Sequence, residues 1–135
     1  MKISKRAYYG LRAVVALAQT NQALSIHTLA ETEKLPQDYL EKILQNLRKA
    51  DILKSKKGIA GGYVLARAAK NISVWNVISQ LDGPIKTFSS IKGSLPCLQV
   101  SHCQTNEVWR MLEQKIEKTL SDISIANLIP KNISR

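Results

Sequence analysis

Two sets of residues in this chain have types and spacings that could do chemistry. The first is Lys54, Lys56 and Lys57, followed at once by Gly58 and then by Gly61 and Gly62. Clustered ammonium groups attract phosphate, and glycines beside them let the backbone come close to it. Just upstream, Asp38, Glu41, Lys42, Gln45 and Lys49 share one face of a helical repeat. Lys42 and Gln45 can hydrogen-bond phosphates and base edges. Glu41 is repelled by phosphate and helps only by accepting from a base amino group such as cytosine N4, so it would act through discrimination rather than affinity. The second set is Cys97, His102 and Cys103, with the two thiols six positions apart. Thiolates and imidazole bind metals, and paired thiols can form a disulfide. Each set also has a plainer reading. A charged helix face is usually only solvated, and the glycines suit an ordinary hairpin turn.

The charge balance favours the first set. Lys and Arg number 20 against 10 Asp and Glu, a formal charge of +10. Such an excess implies a polyanionic partner, nucleic acid first and an acidic membrane surface second. Residues 1–70 hold 13 Lys/Arg against 5 Asp/Glu, whereas residues 71–135 hold 7 against 5. The polyanion is therefore expected at the N-terminal half. At 44% apolar and 22% charged residues, the 135-residue chain reads as globular and of single-domain size. No apolar run is long enough to span a bilayer, and Arg12 interrupts the N-terminal apolar stretch, so neither a membrane span nor a cleaved leader is expected. Two cysteines do not make a disulfide scaffold, and a cytoplasmic setting is expected. Metalloprotease, nucleotide-binding and nucleophile-elbow motifs are absent, so no enzyme is expected.

The elements that would position these residues follow from periodicity. Ala7, Tyr8, Leu11, Val14, Val15 and Ala18 predict a first helix over about residues 3–19. Ser25 is placed to cap a short second helix, and Pro36 to open a third, with Leu40, Ile43, Leu44 and Leu47 inward. Residues 52–56 and 63–66 read as the strands of a hairpin whose tip is the basic glycine-rich segment. Ser73 would cap a fourth helix that stops at Gly83-Pro84. Residues 85–104 show no period. Val108, Met111, Leu112, Ile116, Leu120 and Ile123 then recur at helical spacing. Such a helix is longer than the small core it would cover, so a partner copy is its natural acceptor.

Three helices and a basic hairpin make the expected fold mainly α, a winged helix-turn-helix with a long C-terminal dimerisation helix. The divisions expected are a DNA-binding domain over 1–83, a cysteine-containing sensor-type loop over 84–104, and a dimerisation helix and tail over 105–135. The opening MKISKRAYYGLRAVVALA, the stretch SIHTLAETEKLPQDYLEKILQNLRKADILKSKKGIAGGYVLAR and the later ISVWNVISQLDGP resemble the Rrf-two family of bacterial winged-helix transcription regulators, which includes the iron–sulfur cluster regulator. Gly61-Gly62-Tyr63 with Leu65-Ala66-Arg67 is the most characteristic part. The resemblance implies a homodimer on near-palindromic promoter DNA, with the third helix in the major groove and the wing in the adjacent minor groove. By position it adds Tyr39 to Glu41 and Lys42 as contact residues, and puts Lys57 at the wing tip.

Many members of that family hold a [2Fe–2S] cluster on three cysteines and a further ligand. Cys97 and Cys103 match the second and third, but Ile91 and Asn106 stand where the first cysteine and a ligand histidine are expected. The loop therefore has three readings: a cluster, completed by His102 or by thiolates of two subunits; a thiol–disulfide switch; or a relic that takes a small effector or a partner protein. The rival to a dimeric DNA-binding regulator is an interaction protein or redox sensor that keeps the fold without specific DNA binding.

Overall fold

The computed structural model describes residues 2–85 and 105–130. Helix α1 spans Lys5–Ala18, and its Ser4 N-cap accepts from the Ala7 N–H at 3.0 Å. Ala7, Ala13, Val14 and Leu17 form its buried face. Tyr8, grouped with that face by spacing, is 57% exposed instead. Helix α2, Ile26–Glu33, is capped by Ser25, whose hydroxyl accepts from Thr28 at 3.1 Å. It ends where Lys34 turns left-handed at φ 56°. Helix α3 spans Gln37–Lys49, with Pro36 as the residue before the first turn rather than within it. Leu40, Ile43, Leu44 and Leu47 are all essentially buried. Each such side chain contributes about 1.5–3 kcal/mol by leaving water.

The hairpin follows directly. Strands β1, Leu53–Lys56, and β2, Gly62–Leu65, pair antiparallel with Leu53 opposite Leu65 and Lys56 opposite Gly62. Ladder contact continues outside the strands, since the Ala66 N–H donates to the Ile52 carbonyl at 3.0 Å. Leu24, between α1 and α2, exchanges two backbone bonds with Tyr63, at 2.8 and 3.1 Å. The wing is thereby tied to the body along its return strand.

Helix α4, Val74–Asp82, starts in a reciprocal cap between Ser73 and Asn76 and ends at Gly83 with φ 75°. The Asp82 carboxylate at its end receives both the Ser4 N–H, at 2.9 Å, and the Ser4 hydroxyl. The N-cap of α1 and the last residue of α4 are thus joined. Helix α5 spans Asn106–Ser121 and leads into a 3-10 turn, Ile125–Leu128.

A single core gathers the inner faces of α1, α3 and α4, Leu29 of α2, Leu53 of β1 and, from the C-terminal end, Ile125. Ile125 is 0% exposed, and its N–H donates to the Ile72 carbonyl at 2.8 Å while Val74 N–H donates to Ile123. Residues 105–135 were expected as a dimerisation helix and tail. The chain after α5 returns to complete the N-terminal core, because Ile123 and Ile125 have apolar partners there. Leu120 and Ile123, expected in a dimer seam, pack against that same core.

Candidate nucleic-acid interface

Helix α3 separates its two faces cleanly. While its leucines and Ile43 are buried, Asp38, Tyr39, Glu41, Lys42, Gln45 and Lys49 are all exposed. The amphipathic repeat explains this: residues three and four apart share a face, so the apolar stripe docks and the polar one is left outside. Tyr39 does not hang free. Its ring meets Tyr9 of α1 edge-on at 5.8 Å, and Tyr9 lies 5.8 Å from Tyr8. The Arg12 guanidinium stands 5.7 Å from the Tyr8 ring and donates to the Glu33 carbonyl at 2.6 Å. Sequence reasoning missed this aromatic row, because tyrosines at helical spacing look like core. The adjacent Tyr8-Tyr9 pair was its only sign, since neighbouring residues on a helix point about 100° apart and one of two adjacent rings readily falls at the edge of the buried face.

The wing carries Lys54, Lys56, Lys57 and Gly58, all exposed. Glycine is required at position 62. Its φ is +146°, and a Cβ there would lie 2.2 Å from the Leu24 carbonyl oxygen, in the bond that ties the wing down. Any side chain would push the return strand off the body.

The electrostatics follow from what these ammonium groups lack. Among the described residues the ion pairs are Arg12–Glu33, His27–Glu31, Arg110–Glu107 and Lys118–Asp122, at 3.1–3.5 Å. None involves Lys42, Lys49, Lys54, Lys56 or Lys57. Five cations on α3 and the wing therefore stand in solvent without a neutralising carboxylate among the described residues, which suits them to phosphate.

The comparisons with known proteins decide the family. The model of the Rrf2 (Rrf-two) family, described as an iron-dependent transcriptional regulator, matches residues 3–131. This chain belongs to the Rrf2 family. It is 32% identical over 130 residues to the putative HTH-type transcriptional regulator slr0846 of Synechocystis, covering 95% of this chain and 87% of that one. In structure it resembles CymR, the global cysteine regulator of B. subtilis, with a TM-score of 0.79 at 28% identity and 95% coverage of both chains. It also resembles T. potens IscR, with a TM-score of 0.78 at 32% identity, covering 95% of this chain and 85% of that one. The Rrf2 match and these likenesses make the chain a DNA-binding transcription regulator of winged-helix fold. The names its relatives carry are those of regulators, not enzymes.

Two further features of this Rrf2 chain bear on assembly and sensing. On α5, Val108, Met111 and Leu112 are 56%, 50% and 36% exposed, and Ile116 is half-buried. The stripe open to a partner thus occupies the first half of the helix. Cys97, His102 and Cys103 lie outside the described residues, and no group of three metal-binding side chains occurs among the described ones. With only two cysteines in the chain, the donors of one subunit fall short of the thiolates, commonly four, that hold an iron–sulfur cluster. They do not fit that group without donors from elsewhere. No helix among the described residues is long and apolar enough to cross a membrane.

Proposed function

We propose that two copies of this Rrf2 regulator bind near-palindromic duplex DNA in the cytoplasm, each through α3 and the wing. The observation that carries the reading is the α3 surface. A helix fully buried along one side presents Glu41, Lys42 and Gln45 outward, with unpaired lysines on both helix and wing. An α-helix fits the major groove, where Gln45 and Glu41 can address base edges while Lys42 and Lys49 meet phosphates. Tyr39, exposed and braced by Tyr9, would hydrogen-bond a phosphate through its hydroxyl. Lys57 at the wing tip meets the minor-groove side.

The exposed Val108, Met111 and Leu112 of α5, with half-buried Ile116 beside them, support dimerisation, since a second α5 would cover them. A two-fold pair sets the recognition helices about 34 Å apart, one turn of DNA, so the half-sites mirror each other.

Site selection from random duplexes tests the reading. The chain is expected to enrich an inverted repeat, bound as two chains per duplex in sedimentation. Glu41→Ala is expected to relax the choice at one base pair per half-site while affinity changes little, since it removes an acceptor and a charge that phosphate repels. Failure to enrich any repeat, with binding indifferent to salt, would instead favour an interaction protein that keeps the fold.

A further inference from the structure

The wing ends in a side chain for which the free molecule has no use. Ile59 is fully exposed, at 109% of its reference area, more than any other large apolar side chain among the described residues. Its backbone is well held. The Gly61 N–H donates to the Gly58 carbonyl at 3.0 Å, which puts Ile59 and Ala60 at the corner of a closed four-residue turn. A Cβ at Gly61 would fall 2.4 Å from the Lys56 carbonyl oxygen, so the turn is tight. Isoleucine is also stiff about χ1, and little freedom remains for it to lose on contact. Lys56 and Lys57, both exposed and without an ion pair among the described residues, precede it and supply attraction to phosphate.

Beside the tip runs an open groove of about 610 Å³ between the wing and the connector from α1 to α2. Asn21, Gln22, Ser25 and Thr28 line the body side, Lys56 and Ile59 the wing side, and no carboxylate of the described residues lines it. Neutral hydrogen-bonding groups with one ammonium are the partners a sugar–phosphate strand takes. A wing that enters a minor groove must leave one strand of that groove between itself and the body, and this is the space available.

On the footing of the DNA-binding reading, we propose that Ile59 is an apolar reader of the minor-groove floor, with the adjoining strand seated in the groove between wing and connector. A·T pairs present only acceptors on that floor, whereas G·C adds the guanine N2 amino donor. Isoleucine offers that donor nothing, and covering it leaves a polar group unsatisfied. The wing should therefore reject G·C beneath its tip. Apolar wedges at minor-groove steps are an established way for proteins to use this surface.

The test uses the full chain and a duplex recovered by site selection. Placing G·C under the wing is expected to weaken binding about tenfold, within the usual range for one wrong base pair. Replacing that guanine by inosine, which lacks the N2 amino group, is expected to restore it. Ile59→Ala should bind all three duplexes within about twofold of one another, with the salt dependence of the native chain. A carboxylate introduced by Gln22→Glu should weaken binding to every sequence alike. If Ile59→Ala still discriminates, or the native chain does not, the role of Ile59 is refuted while steep salt dependence leaves the DNA-binding reading standing. If no duplex is recovered and binding ignores salt, the DNA-binding reading fails and this inference with it.

Discussion

Replacing Lys57 by Ala tests the phosphate contact proposed for the wing tip. Five ammonium groups on α3 and the wing, those of Lys42, Lys49, Lys54, Lys56 and Lys57, have no carboxylate partner among the described residues. If all five in each of two subunits met phosphates, the slope of log affinity against log salt would approach about −9, since each contact contributes ~0.9. That is an upper bound. Lys57→Ala removes one contact per subunit, so the slope should shallow by about 1.8. Between ~50 and ~200 mM salt the variant should lose about tenfold less affinity than the native chain. Fluorescence anisotropy of a labelled duplex, titrated at several salt concentrations, measures this. The drop should be the same on an unrelated duplex, because a phosphate contact carries no sequence information. Lys118→Ala serves as the control, for Lys118 is held by Asp122 at 3.1 Å on α5, away from α3 and the wing in the chain. Equal slopes for native chain and Lys57→Ala would refute the assignment of the wing tip to phosphate.

Three other expectations follow. Met111→Glu puts a charge into the exposed stripe of α5 without disturbing any core contact, since Met111 is 50% exposed; sedimentation should report monomers at unchanged thermal stability, and a persisting dimer would move the seam elsewhere. Ile125→Ala empties a fully buried site and should lower stability by about 2–5 kcal/mol in urea unfolding; a change under 1 kcal/mol would show that the C-terminal turn is not part of the core. Anaerobically purified protein should lack the visible charge-transfer bands of an iron–sulfur cluster, because two thiols per chain do not complete one; such bands with stoichiometric iron would show that donors from two subunits combine.

Much of the surface that forms the candidate interface was legible in the residues. Leu40, Ile43, Leu44 and Leu47 carry a 3.6-residue period that only a helix can bury on one side, which leaves Glu41, Lys42, Gln45 and Lys49 outside. The serines at 25 and 73 were expected as caps and cap their helices, because a serine hydroxyl satisfies a first-turn N–H; Ser4 does the same for α1, whose start was expected at about residue 3. Tyr8 was misjudged because a periodic pattern records spacing, not which neighbours arrive to cover a face. The row from Tyr39 through Tyr9 to Tyr8 needs α1 laid against α3, and no local rule states that distance.

The sequence by itself determined the helices, the basic hairpin and the sign of the partner's charge. All three depend on residue type and short spacing, which act before the chain is folded. Only the tertiary structure decided where the C-terminal segment goes. Leu120 and Ile123 read as part of a seam and Ile125 was not assigned, yet all three side chains pack at the core, and the Ile72 and Val74 backbone groups bond to this segment. Competition between burial within one chain and burial against another is settled by three-dimensional fit, so periodicity alone could not assign those side chains.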